Sequence, residues 1–163
     1  MLFRSLGGYI RIPIPGNPVP LTLQVVFVLL AGAFLTPAAA AASMLAFVGV
    51  GLAGAPVFSA GGAGFAYLAG PTGGYLVGFV AGAWLCATVM RGRRDSLGRT
   101  LLAMAAGLGA IHLLGAIHLG LYLGGDLSSA FRLGIFPFLP VDALKIAAAA
   151  AFVSGCSALS TSR

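Results

Sequence analysis

"TLLAMAAGLGAIHLLGAIHLGLYL", Thr100 to Leu123, carries no Asp, Glu, Lys or Arg and decides the fold class. A water-facing helix or strand would interleave polar residues with these apolar ones at a regular period, and here they are missing. Alanine, leucine and glycine dominate instead, so the run reads as a membrane-crossing helix and not as a barrel strand. The whole chain agrees. Of its 163 residues, 60% are hydrophobic and 7% charged, with a mean hydropathy of +1.05. A soluble domain carries roughly 25% charged residues, which is what covers its surface in water.

Working outward, four more apolar runs appear: Pro20–Leu35, Ala38–Ala53, Thr72–Met90 and Pro140–Leu159. Some fall short of the ~20 residues that cross a hydrocarbon core, which is tolerated where the bilayer thins or the ends sit in protein. Ahead of them lies a stub, Leu2–Ile12, too short to cross alone and read as the tail of a further helix. The expectation is one transmembrane domain over residues 1–163. It is an all-α bundle of about six helices, the first truncated by a late start or a true loss, with a Gly-rich outer loop.

Orientation follows from charge. The formal net charge is +6, and Arg91, Arg93, Arg94 and Arg99 cluster between two runs. Positive loops stay inside, so this connection is assigned to the cytoplasm. Counting helices then places Gly16–Pro20, the stretch "GAPVFSAGGAGFAYLAGPTGG" (residues 54–74), Gly124–Phe136 and the start of the last run outside. No basic-aromatic surface suggests nucleic acid. Cys86 and Cys156 are isolated, make no disulfide framework or metal site, and read as small buried hydrophobes. No phosphate-binding loop motif occurs, so ATP hydrolysis is not expected of this chain. No cofactor, metal or catalytic residue is assigned.

Polar residues are the informative exceptions. Asp142 and Lys145 stand at i and i+3 on one helix face, where charge in a membrane is costly. Either they form a local ion pair favoured by the helix N-terminus, or they face a ligand, which is the preferred reading. Gln24 offers an amide donor and acceptor, for a ligand or for an interhelical bond. Residues 54–74 are glycine-rich and carry Phe58, Phe65 and Tyr67, followed by Tyr75. Glycine admits close backbone approach and aromatic rings make flat apolar walls. A lid over an outward-facing pocket is expected there, the alternative being a folded-in connector. Arg11 is outside and reads as an interfacial anchor. His112 and His118, six apart, are not on one helix face; they read as interhelical hydrogen-bonding residues lying elsewhere along the bilayer from Asp142. Gly74, Gly78 and Gly82 recur every fourth residue, the spacing that lets a second helix backbone approach.

Three blocks, "IPIPGNPVPLTLQ", "GAPVFSAGGAGFAYLAGPTGGYLVGF" and "FPFLPVDALK", occur in an order and spacing that resembles the BioY family, the biotin-specific S components of energy-coupling factor (ECF) vitamin transporters. The likeness runs from Gly8 to Phe152. It implies a bacterial inner-membrane protein, without enzymatic activity, that captures biotin from outside. Its implied partners are a membrane-embedded coupling subunit and two ABC-type ATPases. It further implies Gln24, the Gly73–Gly74 turn, Tyr75, Asp142 and Lys145 as biotin contacts, with Lys145 meeting either the ureido or the carboxylate oxygen. The chain departs from the family at its start, where only "LGGYIRIPIPG" of the first helix is recognisable. Small residues that dock the coupling subunit are expected on that helix. Two other readings stand beside this one: an S component for a different vitamin or a solitary carrier, and an intramembrane enzyme using Asp142 with a histidine.

Overall fold

The computed structural model describes residues 11–90 and 96–161. The stub Leu2–Ile12 thus falls almost wholly outside the described residues, as do Arg91, Arg93 and Arg94. A two-residue ladder comes first. Strand β1 (Arg11–Ile12) pairs antiparallel with β2 (Leu21–Thr22), Ile12 opposite Leu21. Seven α-helices follow among the described residues: α1 (Gln24–Phe34), α2 (Pro37–Leu52), α3 (Gly64–Ala69), α4 (Gly73–Met90), α5 (Leu97–Tyr122), α6 (Leu127–Gly134) and α7 (Leu139–Thr161). The chain is an all-α membrane protein. Helices α4, α5 and α7 are each long and apolar enough to cross a membrane, whereas α1 and α2 are shorter apolar helices. At 1.5 Å per residue, α5 alone reaches roughly 39 Å.

Helix boundaries follow local chemistry. Thr36 and Pro37 open α2: the Thr36 hydroxyl accepts from the Ala39 amide at 3.4 Å, and proline occupies the first helical position, where its missing N–H costs nothing. Ser96 caps α5 through the Arg99 amide at 3.4 Å. Asp126 caps α6 through the Ser129 amide at 3.0 Å. The first apolar run begins later as a helix than its composition suggests. Pro18 and Pro20 hold the chain extended, and Leu21 and Thr22 are committed to the ladder, so Gln24 opens α1 and does not lie a turn inside it.

The bundle is organised around the α4–α5 contact. A Cβ on Gly78 would sit 2.9 Å from the Ile111 Cα, and one on Gly82 2.7 Å from the Gly107 carbonyl oxygen. The four-residue glycine spacing is therefore an internal packing seam. Cys86 is fully buried beside it, its thiol 3.6 Å from the Leu29 carbonyl oxygen of α1. Of the three long helices α7 is the least enclosed, with Val141, Leu144 and Phe152 exposed on an apolar outer face suited to lipid.

Two stretches expected to be loops are partly helical. Residues 54–74 fold into a tight turn at Ser59–Gly61 followed by α3. Phe58 is fully buried, its ring 5.8 Å from Phe47 and stacked 5.1 Å from Tyr67. The space for these rings comes from glycines, since a Cβ on Gly51 would strike Phe58 and one on Gly62 would strike Tyr67. The segment is thus a folded-in element anchored by an aromatic stack, and Phe65 is exposed outside it. Residues 124–136 likewise contain α6, whose Ala130 and Gly134 are buried while Leu127 and Phe131 are exposed.

Replacing Gly78 by alanine presses a methyl against backbone, which cannot swing aside. Overpacking of this kind costs about 1–3 kcal/mol. The melting temperature in detergent is expected to fall for Gly78→Ala and to hold or rise for Gly109→Ala, whose Cβ meets nothing within 4 Å. At the bundle rim, hydrogen bonds from Ser129 hold the Asp126 carboxyl below the usual carboxylate range. The cap is therefore intact above the unfolded value near ~4 and lost as pH falls through the lowered one. Protection of the Ser129 and Ala130 amides, taken relative to their intrinsic exchange at each pH, should fall only on that acidic side.

Candidate functional site

Polar side chains from three parts of the chain meet at the end of the bundle where α4 and α7 begin and α5 nears its end. Arg99, in the first turn of α5, lies at the opposite end. Asp142 stands in the first turn of α7 and is 2% exposed. Its backbone amide is bonded to the Phe138 carbonyl at 2.8 Å, which fixes the helix start. Lys145, one turn on, donates from Nζ to Asp142 Oδ1 at 2.8 Å and to the Thr22 carbonyl of β2 at 2.8 Å. From α5, His112 Nε2 lies 2.9 Å from Asp142 Oδ2. A carboxylate only accepts, so Nε2 carries the proton in this bond. Each Asp142 oxygen thereby has a donor, one from its own helix and one across the bundle.

An isolated carboxylate in such a place would cost several kcal/mol, so a burial this complete needs both donors. Apolar residues of similar size would hold the helices together at lower cost. The cluster is therefore a poor device for stability and a good one for presenting a charged, hydrogen-bonding surface to something polar.

It borders a pocket of about 50 Å³, room for more than one water-sized group. Val19 and Pro20 from the stretch before α1, Gln24, Thr72, Tyr67, Tyr75 and Phe138 complete much of its wall. Tyr75 and Phe138 flank His112, with ring centroids 6.3 and 6.0 Å away. The Tyr75 hydroxyl donates to the Gly134 carbonyl at 2.7 Å, and the Asn17 amide donates to the Leu133 carbonyl at 2.7 Å. These two bonds tie the end of α6 to α4 and to the stretch before α1. Gln24 donates from Nε2 to the Val57 carbonyl at 3.3 Å, binding the glycine-rich segment to α1.

The sequence pattern of the BioY family matches residues 1–161. The chain belongs to the BioY family. It is similar to the biotin transporter BioY of Thermotoga maritima, with 37% identity over 145 residues that cover 89% of this chain and 83% of the relative. The probable biotin transporter BioY of Pyrococcus horikoshii is 39% identical over 145 residues, with the same 89% and 83% coverage. Among solved structures, the S-component for biotin from an ECF-type ABC transporter superimposes with a TM-score of 0.87 at 26% identity. That match covers 96% of this chain and 85% of the other.

In this BioY-family chain Gln24, Tyr75, Asp142 and Lys145 all line one pocket. Gly73 and Gly74 do not. A Cβ on Gly73 would strike the Leu68 carbonyl, and one on Gly74 would strike the His118 side chain, so both bring α4 against its neighbours. Of the four aromatic residues read as walls, Tyr67 and Tyr75 line the pocket, whereas Phe58 is core and Phe65 is exposed. His118 bonds the Gly70 carbonyl at 2.9 Å, a structural bond next to the pocket rim. His112 corrects the sequence reading. It lies at the same depth as Asp142, because α5 runs antiparallel to α4 and reaches the level of the α7 start by its second half. Nothing in the local sequence around His112 marks this, since the pairing partner is thirty residues away.

Removing one member should hurt more than removing all. His112→Ala leaves Asp142 Oδ2 buried without its donor, an expected cost of about 1–3 kcal/mol in detergent unfolding. Replacing His112, Asp142 and Lys145 together by leucine, leucine and methionine should recover most of that stability.

Proposed function

We propose that this chain is the substrate-binding membrane subunit of a biotin uptake system. It forms a single transmembrane domain in the cell membrane, takes the vitamin from outside, and performs no chemistry of its own. Transport is driven by a separate membrane coupling subunit with two ATP-binding-cassette ATPases. The observation that carries this reading is the buried Asp142–Lys145–His112 cluster opening on a pocket with aromatic walls. Biotin combines a ureido ring that donates and accepts, an apolar thiophane body and a carboxylate. The cluster supplies both signs of charge, and Tyr67, Tyr75 and Phe138 supply apolar faces.

Within this proposal Asp142 accepts from the ureido N–H groups through its free lone pairs. Lys145 has two donor positions occupied and one left for a ligand oxygen. Gln24 and Tyr75 bound the ligand, and Gly73 and Gly74 contribute indirectly by holding α4 against α5 at the pocket edge.

Biotin titrated into the purified chain should bind saturably, and no binding would overturn the assignment. Preferential binding of a different vitamin would transfer the site to that substrate. Asp142→Asn preserves shape and can still accept from Lys145 at Oδ1, but its amide nitrogen replaces the acceptor facing His112 Nε2, and the charge is lost. Its affinity for biotin should drop roughly 10- to 100-fold, the scale of hydrogen bonds involving a charged group. Its melting temperature should fall as well, because the Lys145 charge stays buried without its counter-ion. Lys145→Arg should not rescue binding, because the planar guanidinium does not fit a position shaped for a compact ammonium.

A further inference from the structure

The glycine-rich segment brings one side chain to the pocket that the sequence reading passed over. Ser59 opens the tight turn Ser59–Gly61, lines the pocket and is 6% exposed. Its hydroxyl is buried and has no hydrogen-bond partner among the described residues. A buried hydroxyl left unpaired lowers stability, and proteins keep few of them.

The backbone around it is held against its own preference. Ala60, the next residue, has φ +60° and ψ +25°, the left-handed region that a Cβ disfavours. Three bonds maintain the turn: Phe58 N–H to the Gly62 carbonyl at 3.0 Å, Gly61 N–H to Phe58 at 3.1 Å and Gly62 N–H to Ser59 at 3.1 Å. On the preceding side the Val57 carbonyl is held by Gln24 and the Phe58 ring is locked in the core. Strain of this sort is retained where the surroundings impose it, and it concentrates at ligand clamps. The turn fixes an unsatisfied hydroxyl in the wall beside Gln24, and neither packing nor hydrogen bonding within the chain uses it.

We propose that Ser59 is a substrate contact: its hydroxyl completes its hydrogen bonding on a polar group of the bound vitamin. The inference rests on the reading of the pocket as the biotin site. A hydroxyl serves either polarity, donating to a ligand oxygen or accepting from a ligand N–H, and it is small enough not to crowd Tyr67 and Thr72 on the same wall.

The test is Ser59→Ala, followed by calorimetric titration of biotin and by melting of the ligand-free chain. Affinity should fall roughly 3- to 10-fold, the worth of one neutral hydrogen bond. The ligand-free melting temperature should stay level or rise, because no bond within the chain is lost and an unpaired polar group is removed. A variant that binds biotin like the unsubstituted chain overturns the proposal. So does one that fails to fold or melts lower without ligand, since the hydroxyl would then be structural. If Asp142→Asn weakens binding while Ser59→Ala does not, this inference alone falls. If the unsubstituted chain binds no biotin, the assignment of the pocket falls with it.

Discussion

The Asp142 carboxylate, buried between two donors, is the constraint from which the rest of the site follows. In water such a group needs no partner, but in a membrane bundle it must be surrounded by hydrogens. Lys145 supplies one from the next turn of the same helix and His112 another from across the bundle. Satisfying both fixes the rotation of α7, the depth of α5 relative to it, and through Lys145 and the Thr22 carbonyl the position of the ladder before α1. One carboxylate thus sets the mutual placement of three chain segments.

Around that polar centre the bundle uses small residues for closeness and rings for closure. Gly78 and Gly82 let α4 lie against α5 with backbone contacts that any larger residue would break. Gly51 and Gly62 do a different job, accepting the rings of Phe58 and Tyr67. The same residue type therefore joins the long helices in one place and packs the lid segment down in another. The pocket draws on both: Leu76, Phe79, Ile111 and His112 from the α4–α5 pair on one side, and Ser59, Tyr67 and Thr72 from the folded segment on another.

BioY membership gives this arrangement its biological setting, and the local physics explains how this chain holds its buried polar residues. A hydrophobic replacement would pack as well as Asp142 and Lys145, so the stability of the bundle does not account for their presence, whereas the proposed recognition of a polar ligand does. His112 belongs to that recognition unit as a positioning residue, because it holds the carboxylate from the side that α7 cannot reach by itself.

The sequence by itself determined the membrane class, the helical architecture, the glycine seam and the Asp142–Lys145 pair. Each of these is written in neighbouring residues: unbroken apolar runs, a four-residue spacing, an i,i+3 relation on one helix. Only the tertiary structure decided that His112 joins the pair, that Phe58 is core while Tyr67 is wall, that Gly73 and Gly74 pack helices, and that Ser59 reaches the pocket unpaired. These depend on the depth at which antiparallel helices cross and on which ring fills which gap. Relations of that kind link residues tens of positions apart, and local periodicity carries no record of them.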